Sequence, residues 1–279
     1  MTTFKGKVAL VTGASTGIGR ATALDFGKRG ASVVVADINV EEAKKTVSMI
    51  KKAGGEALFV QTDVSKPQDC EMMVAEAIDA FGRLDYACNN AGIEGVMSGI
   101  ADMKVEDWQR VINVNLTGIF LSMKYEIPEM LKQGGGAIVN MASILGQVGF
   151  ANAAAYTAAK HGVVGLTKVA ALEYSARGIR VNTICPAFIV TPMLERAGLL
   201  GDANVRKSIE ALHPIGRLGQ PEEIAKVVTF LCSPDASFIA GESMLVDGGY
   251  VAGSVPHLEA QAEELPRKAL QSNGHLVRR

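Results

Sequence analysis

The sequence predicts an α/β fold, a single domain in which a parallel sheet is doubly wound by helices on both faces. Three observations predict it. Seven short apolar runs of strand character alternate with six helical patterns between residues 7 and 246. That alternation puts a crossover helix between parallel strands buried on both sides. The first strand runs into a glycine-rich turn that opens a helix, the usual place for a bound phosphate in such sheets. No shift of composition marks a second domain before Tyr250, so residues 1–250 form one unit, and a chain of 279 residues buries about three quarters of its unfolded surface without staples.

Residues 7–12 (Lys-Val-Ala-Leu-Val-Thr) are the first strand, and Gly13-Ala-Ser15-Thr-Gly17-Ile18-Gly19 opens a helix that continues to Arg29. The glycines let the backbone turn tightly and approach a pyrophosphate on the helix N-terminus. The second strand, 31–36, ends in Asp37, near the spacing at which a carboxylate holds adenosine ribose hydroxyls. A 2′-phosphate would be repelled there, and Thr16, Ile38 and Asn39 offer no cation to offset it. The site is therefore expected to take NAD rather than NADP. Helix 40–53, strand 56–61, helix 66–81 and strand 84–88 follow. Asp63-Val64 and Asn89-Asn90-Ala91-Gly92 fall at C-terminal strand ends, where open α/β sheets bind ligands. Asp63 either accepts from an adenine amino group or caps the helix that starts near Lys66.

A polar loop, 93–104, leads to a long helix over 105–132. Asn113-Val-Asn115-Leu-Thr-Gly118 weakens its centre, which predicts a distortion that frees carbonyls to hold a water. Residues 135–142 read as a buried strand ending at Ser143, and an Ala-rich helix with Asn152 as its N-cap runs on to Arg177. After a strand at 180–185 comes Pro186-Ala-Phe188-Ile189-Val-Thr191-Pro192. Residues 193–216 carry several glycines and no single period, which predicts one or two short helices forming a mobile lid. His213 within them reads as structural. Pro221, Glu222 and Glu223 start the last helix, and 243–246 is the last strand. Residues 251–279 are poor in apolar side chains and read as a tail outside the core, native or appended.

Composition excludes several classes of function. Lys+Arg 28 against Asp+Glu 29 leaves a net charge of −1, with no pull toward nucleic acid or an anionic membrane. No apolar run reaches the ~18–20 residues of a membrane span, and the N-terminus lacks a signal core. Cys70, Cys88, Cys185 and Cys232 are scattered without a Cys-x-x-Cys pair and read as buried free thiols. A cytoplasmic protein without a metal is expected.

The chemistry centres on Ser143, Tyr156 and Lys160. Tyr156 and Lys160 are four apart on a helix and so share a face, and Ser143 ends a strand that faces it. A free phenol titrates near ~10; an ammonium alongside, and a cationic nicotinamide, are expected to lower that value. Phenolate and hydroxyl would then hold one alcohol oxygen and take its proton while the adjacent carbon loses hydride.

With Gly13, Gly17 and Gly19, Asn89-Asn-Ala-Gly92, Asn115, Ser143 and Tyr156-x-x-x-Lys160 in this order, the chain resembles the short-chain dehydrogenase/reductase family over residues 5–250. The resemblance implies a seven-stranded Rossmann fold of strand order 3-2-1-4-5-6-7. It implies Tyr156 as general acid/base, Ser143 as the group orienting the substrate oxygen, Lys160 on the nicotinamide ribose and Asn115 holding the water of a proton relay. Ser15, Ile18, Asp37, Asp63, Val64, Asn90, Ile189 and Thr191 match positions around the dinucleotide, as does Pro186. A homotetramer is implied, pairing the two long helices and the last strand. Where the family commonly has Pro-Gly, this chain has Pro186-Ala187, and alanine disfavours positive φ, so the nicotinamide loop is expected to sit differently.

The reading that follows is an oxidoreductase interconverting a secondary alcohol and a ketone with NAD. Ile144, Leu145, Val148, Phe188, Met193, Leu194 and Leu199 would give an apolar wall for a small hydrophobic or cyclic substrate, with Glu94 and Gln147 as polar contacts. An NADPH-dependent 3-oxoacyl-carrier-protein-type reductase would need a basic residue near position 16 or 38, which the sequence lacks. A non-catalytic dinucleotide sensor would not need the complete Asn115, Ser143, Tyr156 and Lys160 set.

Overall fold

The computed structural model describes residues 3–253; the tail assigned to 251–279 lies outside the described residues beyond 253. Seven parallel strands, β1 (Val8–Thr12), β2 (Ser32–Asp37), β3 (Glu56–Gln61), β4 (Tyr86–Asn89), β5 (Gly136–Met141), β6 (Ile179–Pro186) and β7 (Ser243–Val246), form one sheet in the order β3-β2-β1-β4-β5-β6-β7. The strand order is the expected one. Its reversal falls at β1, which pairs with β2 on one side and β4 on the other. Such a switch point opens a crevice at the C-terminal strand ends.

Apolar runs buried on both faces make the strands. β1 and β4 are buried at every position. Leu10, Val34, Ala87 and Ile138 meet helices α3 (Pro67–Phe81), α5 (Gly118–Lys132) and α6 (Ala154–Tyr174) on one face. Val11, Val35, Cys88 and Val139 meet α1 (Gly17–Lys28), α2 (Val40–Lys52) and α9 (Pro221–Cys232) on the other. Helix boundaries follow local chemistry. Asn39 caps α2 by accepting from the Glu42 N–H, and Gln220 with Glu223 forms a capping box ahead of α9. All four cysteines are free and buried.

The long helix expected over 105–132 is interrupted as its sequence foretold. Helix α4 (Val105–Ile112) passes through a π-helical turn at Asn113–Thr117 before α5 begins. Asn152 does not cap α6. It adopts φ +66°, a left-handed conformation that Asn tolerates, and Ala153 takes the capping position without a side-chain bond. The turn places Ser98 in a bridge with Ala153, so the loop after β4 is drawn against the start of α6. The segment predicted as a lid holds two short helices, α7 (Pro192–Arg196) and α8 (Ala203–Ala211). Its ends are pinned where Val190 N–H donates to Gly219 and Gly219 N–H to Phe188, at 2.9 and 3.0 Å.

Candidate active site

The glycine turn after β1 is fixed by close approach. Gly13 and Gly17 have φ of +63° and +53°, which favours glycine. A Cβ on Gly13 would stand 2.8 Å from the Ala91 Cα, and one on Gly19 would overlap the Gly13 carbonyl oxygen. Asn90 locks the exits of β1 and β4 together, its amide donating to the carbonyls of Thr12 at 3.0 Å and Gly13 at 3.2 Å. The result is a backbone cradle at the N-terminus of α1, open to an anionic group.

Asp37 stands beside that cradle at the end of β2, buried. Its carboxylate accepts the N–H of Ser15 at 2.9 Å and of Asn39 at 2.8 Å. A carboxylate has about four lone-pair sites, so two remain for a diol while the first two hold the turn. Asp63 does not cap α3; Lys66 occupies that position. The Asp63 carboxylate accepts instead from the Ser65 N–H at 3.1 Å and hydroxyl at 2.6 Å. Burial raises this carboxyl, but the Ser65 bonds and the nearby Lys66 charge outweigh it and hold it below its ordinary value. Val64 packs against Gly118, where a Cβ would come within 2.8 Å of it. Ile18 packs on the core from α1, and Ile189 pairs with Gly219. Thr191 caps α7, and a Cβ on Gly17 would meet the Thr191 methyl at 3.2 Å, so the segment just ahead of the lid touches the glycine turn. Pro186 closes β6. Ala187 lies outside the left-handed region and continues the ladder, its N–H reaching Val246 at 3.4 Å.

On the other side of the crevice Ser143, extended at φ −170°, leads a tight turn over Ile144–Gly146. Its hydroxyl accepts the Leu145 N–H at 3.2 Å and stands close enough to the Tyr156 phenol to oppose the rise of its pKa. The expected pair is thus brought together. Lys160 is buried, donates to the Met141 carbonyl at 2.8 Å and lies 5.4 Å from the Tyr156 ring centroid. The expected sign of the phenol shift is reversed. Burial pushes Tyr156 up to about 12, against the influence of the Ser143 hydroxyl, and the Glu94 charge adds to the rise. Burial also brings Lys160 down to about 8. Desolvation dominates the phenol, and the Lys160 ammonium, turned to the Met141 carbonyl, is not among the groups that move it.

Asn115 sits in the π turn with its side chain already engaged, accepting the Ile93 N–H and donating to the Ile93 carbonyl, both at 2.8 Å. It thereby fixes the loop that follows Asn89-Asn90-Ala91-Gly92. Glu94 on that loop lines a narrow crevice with Met103, Val111 and Tyr156, and it pairs with Arg196 of α7 at 3.3 Å. No local pattern joined residues 94 and 196. Of the expected apolar wall, Ile144 is buried, and Phe188 packs against His213 and Tyr250 at ring-centroid distances of 5.8 and 5.9 Å. His213 is buried and bonded through Nδ1 to the Ile209 carbonyl at 2.9 Å. A larger depression along α4, lined by Ser65, Val105, Gln109 and Asn113, holds none of the expected site residues. Among the described residues no group of side chains has the makings of a metal site, and no helix is long and apolar enough to cross a membrane.

The glycine cradle, the Asp37 lone pairs and the strand-end crevice fit an adenine dinucleotide. Comparison with known proteins agrees. Residues 13–251 match a family model described as Enoyl-(Acyl carrier protein) reductase. The chain is 50% identical over 249 residues to a cyclohexanol dehydrogenase of Acinetobacter sp. (strain SE19), covering 89% of this chain and 96% of that one. It is 45% identical to a cis-4-hydroxycyclohexanecarboxylate dehydrogenase of Sinomonas cyclohexanicum, covering 89% and 98%. The crystal structure of levodione reductase superposes with a TM-score of 0.86 at 38% identity, over 90% of this chain and all of that one.

Proposed function

Since the chain belongs to the short-chain dehydrogenase/reductase family, whose members bind a nicotinamide dinucleotide, we propose that it interconverts a small cyclic secondary alcohol and its ketone using NAD. The observation that carries this reading is the Ser143–Tyr156 hydroxyl pair with Lys160 beside it, across the crevice from the glycine cradle. Relatives named for alcohols of six-membered rings support the substrate class.

In this reading Gly13, Ser15, Gly17, Ile18 and Gly19 hold the pyrophosphate side, and Asp37 holds the adenosine ribose. Asp63, Val64 and Asn90 border the adenine and ribose path, while Pro186, Ile189 and Thr191 border the nicotinamide end. NAD bound there supplies the two-electron acceptor for the carbinol hydride. Ser143 holds the substrate oxygen by a hydrogen bond, and Tyr156 takes the hydroxyl proton during oxidation or returns it during reduction. Lys160 binds the nearby ribose and, charged below about 8, would together with the nicotinamide charge oppose the burial that raises the phenol. The main-chain carbonyl of Asn115 holds the water that relays the proton outward, its side chain being committed to Ile93. NAD is preferred because Arg20, the first cation after the glycine turn, is already paired with Glu42 at 2.7 Å. That arrangement also disfavours an NADPH-dependent carrier-protein reductase.

Residues 1–250 would be the catalytic domain. Free thiols agree with a cytoplasmic location. Exposed Phe120 on α5, Val169 and Leu172 on α6, and Leu245 on β7 agree with a homotetramer. The test is a panel of cyclic secondary alcohols and ketones followed by NADH and NADPH absorbance. Tyr156→Phe should lower kcat on the order of 10²- to 10⁴-fold while NAD⁺ affinity stays nearly unchanged. Equal loss of both would refute the role given to Tyr156.

A further inference from the structure

Beneath the crevice the sheet buries a chain of polar side chains that the proposed reaction does not use. Glu126 of α5, Asn89 of β4 and Asn140 of β5 are all buried to within 1%. Asn89 Nδ2 donates to Glu126 Oε2 at 3.0 Å and to Asn140 Oδ1 at 3.1 Å. Asn140 Nδ2 donates in turn to Thr167 Oγ1 of α6 at 2.9 Å, and Thr183 of β6 donates to the same oxygen at 2.6 Å. Five elements are tied together this way. Turning the Asn89 amide over would cost both of its donated bonds, so its orientation is fixed.

Two atoms of this network lack a partner, Asn89 Oδ1 and Glu126 Oε1. They belong to the two residues already joined by one bond. If the carboxyl were ionised, both would be acceptors facing no donor, and a buried charge would be left with a single amide bond. The titratable groups that feel its charge are the thiols of Cys88 on β4 and Cys70 on α3, both pushed up by burial and so neutral. No cation among the described residues bears on it. One added proton resolves both vacant positions.

We propose that Glu126 is held as a neutral carboxylic acid whose Oε1–H donates to Asn89 Oδ1, completing a two-bond ring with the amide. The ring clamps α5 to the end of β4 and, through Asn140, to β5. Asn89 immediately precedes Asn90 of the cofactor-side lock, and Asn140 immediately precedes Met141, whose carbonyl takes the Lys160 ammonium. Burial raises this carboxyl to about 7, against the Asn89 bond, from an ordinary 4.5. The folded state therefore holds a proton that the unfolded chain gives up between those values. Stability from the clamp is greatest at the acid end of that window and is lost as pH rises through the folded value.

Glu126→Gln supplies the same ring permanently, with Nε2–H replacing the acid proton. Denaturant midpoints of wild type and Glu126→Gln should be compared from about pH 5 to about pH 9. The expected result is a variant that gains steadily on the wild type as pH rises through about 7 and levels off above. A difference that stays constant with pH, or that favours the wild type at the alkaline end, overturns the proposal. Should the variant fold poorly, isotope-edited infrared spectra of wild type labelled with ¹³C-glutamate give an independent answer. A protonated-acid carbonyl band should persist well above the ordinary carboxylate range and vanish at alkaline pH. Its absence at about pH 6 would overturn the proposal on its own.

Discussion

The glycines on the two sides of the crevice do different work. Around the turn after β1 they are fixed by neighbours: a Cβ on Gly13 meets Ala91 and Asn90, and a Cβ on Gly19 meets the Gly13 backbone. In the lid, Gly198, Gly201 and Gly216 have nothing among the described residues within 4 Å of where a Cβ would stand. One side is a packed cradle in which a side chain at Gly13, Gly17 or Gly19 would run into a neighbour. The other is an exposed excursion whose ends are pinned at residues 189 and 219, with Glu94 and Arg196 paired across its mouth. The difference separates a site that demands one geometry from a cover that is free to vary, which is where substrate choice would be set.

The harshest test of that contrast is Gly19→Ala. Its methyl would overlap a carbonyl oxygen of the same turn, and backbone cannot yield as a flexible side chain can. We expect a loss of about 3 kcal/mol or more in stability, with NAD⁺ binding lost by calorimetry. Retention of both would mean that the cradle is looser than its contacts indicate. Asp37→Ala should have the next largest effect. It frees the Ser15 and Asn39 amides and removes the proposed ribose acceptor, with charged hydrogen bonds worth about 1.5–3 kcal/mol each. The kcat/KM for NAD⁺ should fall on the order of a hundredfold, and that for NADP⁺ much less. Parallel losses for the two cofactors would assign Asp37 to holding the turn alone.

The same contrast explains what the sequence made legible. The doubly wound sheet and the break in the long helix could be anticipated because each rests on short-range pattern, apolar runs between helices and two Asn before Gly118 in one helix, whereas the strand order came only with the family resemblance. The Ser143–Tyr156 meeting followed from a strand end and a helix face. The sign of the Tyr156 shift did not, because desolvation depends on everything packed around the phenol, while the sequence displayed only the ammonium four residues on. The Asn152 cap failed for a related reason. A cap and a left-handed turn draw on the same side chain, and the bridge of Ser98 to Ala153, distant in sequence, belongs with the second. Glu126 sits among apolar residues in α5, and Asn140 in an apolar strand. Neither stood out in the sequence, and only the fold brings them to Asn89.

The smallest predicted effects sharpen the comparison most, because they separate space from backbone conformation within the lid. Gly198 and Gly201 both have open space, but Gly198 has φ +73° and Gly201 lies outside the left-handed region. Alanine at 198 should cost about 1–2 kcal/mol, the penalty of a Cβ in that conformation. Alanine at 201 should stabilise by roughly 0.4–1 kcal/mol, since the unfolded chain loses more freedom than the folded one. Thermal midpoints should therefore move in opposite directions for two substitutions three residues apart, and NAD⁺ affinity should not move for either, because neither touches the cradle. If Gly201→Ala weakened NAD⁺ binding, the lid would be part of the cofactor site, and the division between a fixed cradle and a variable cover would fail.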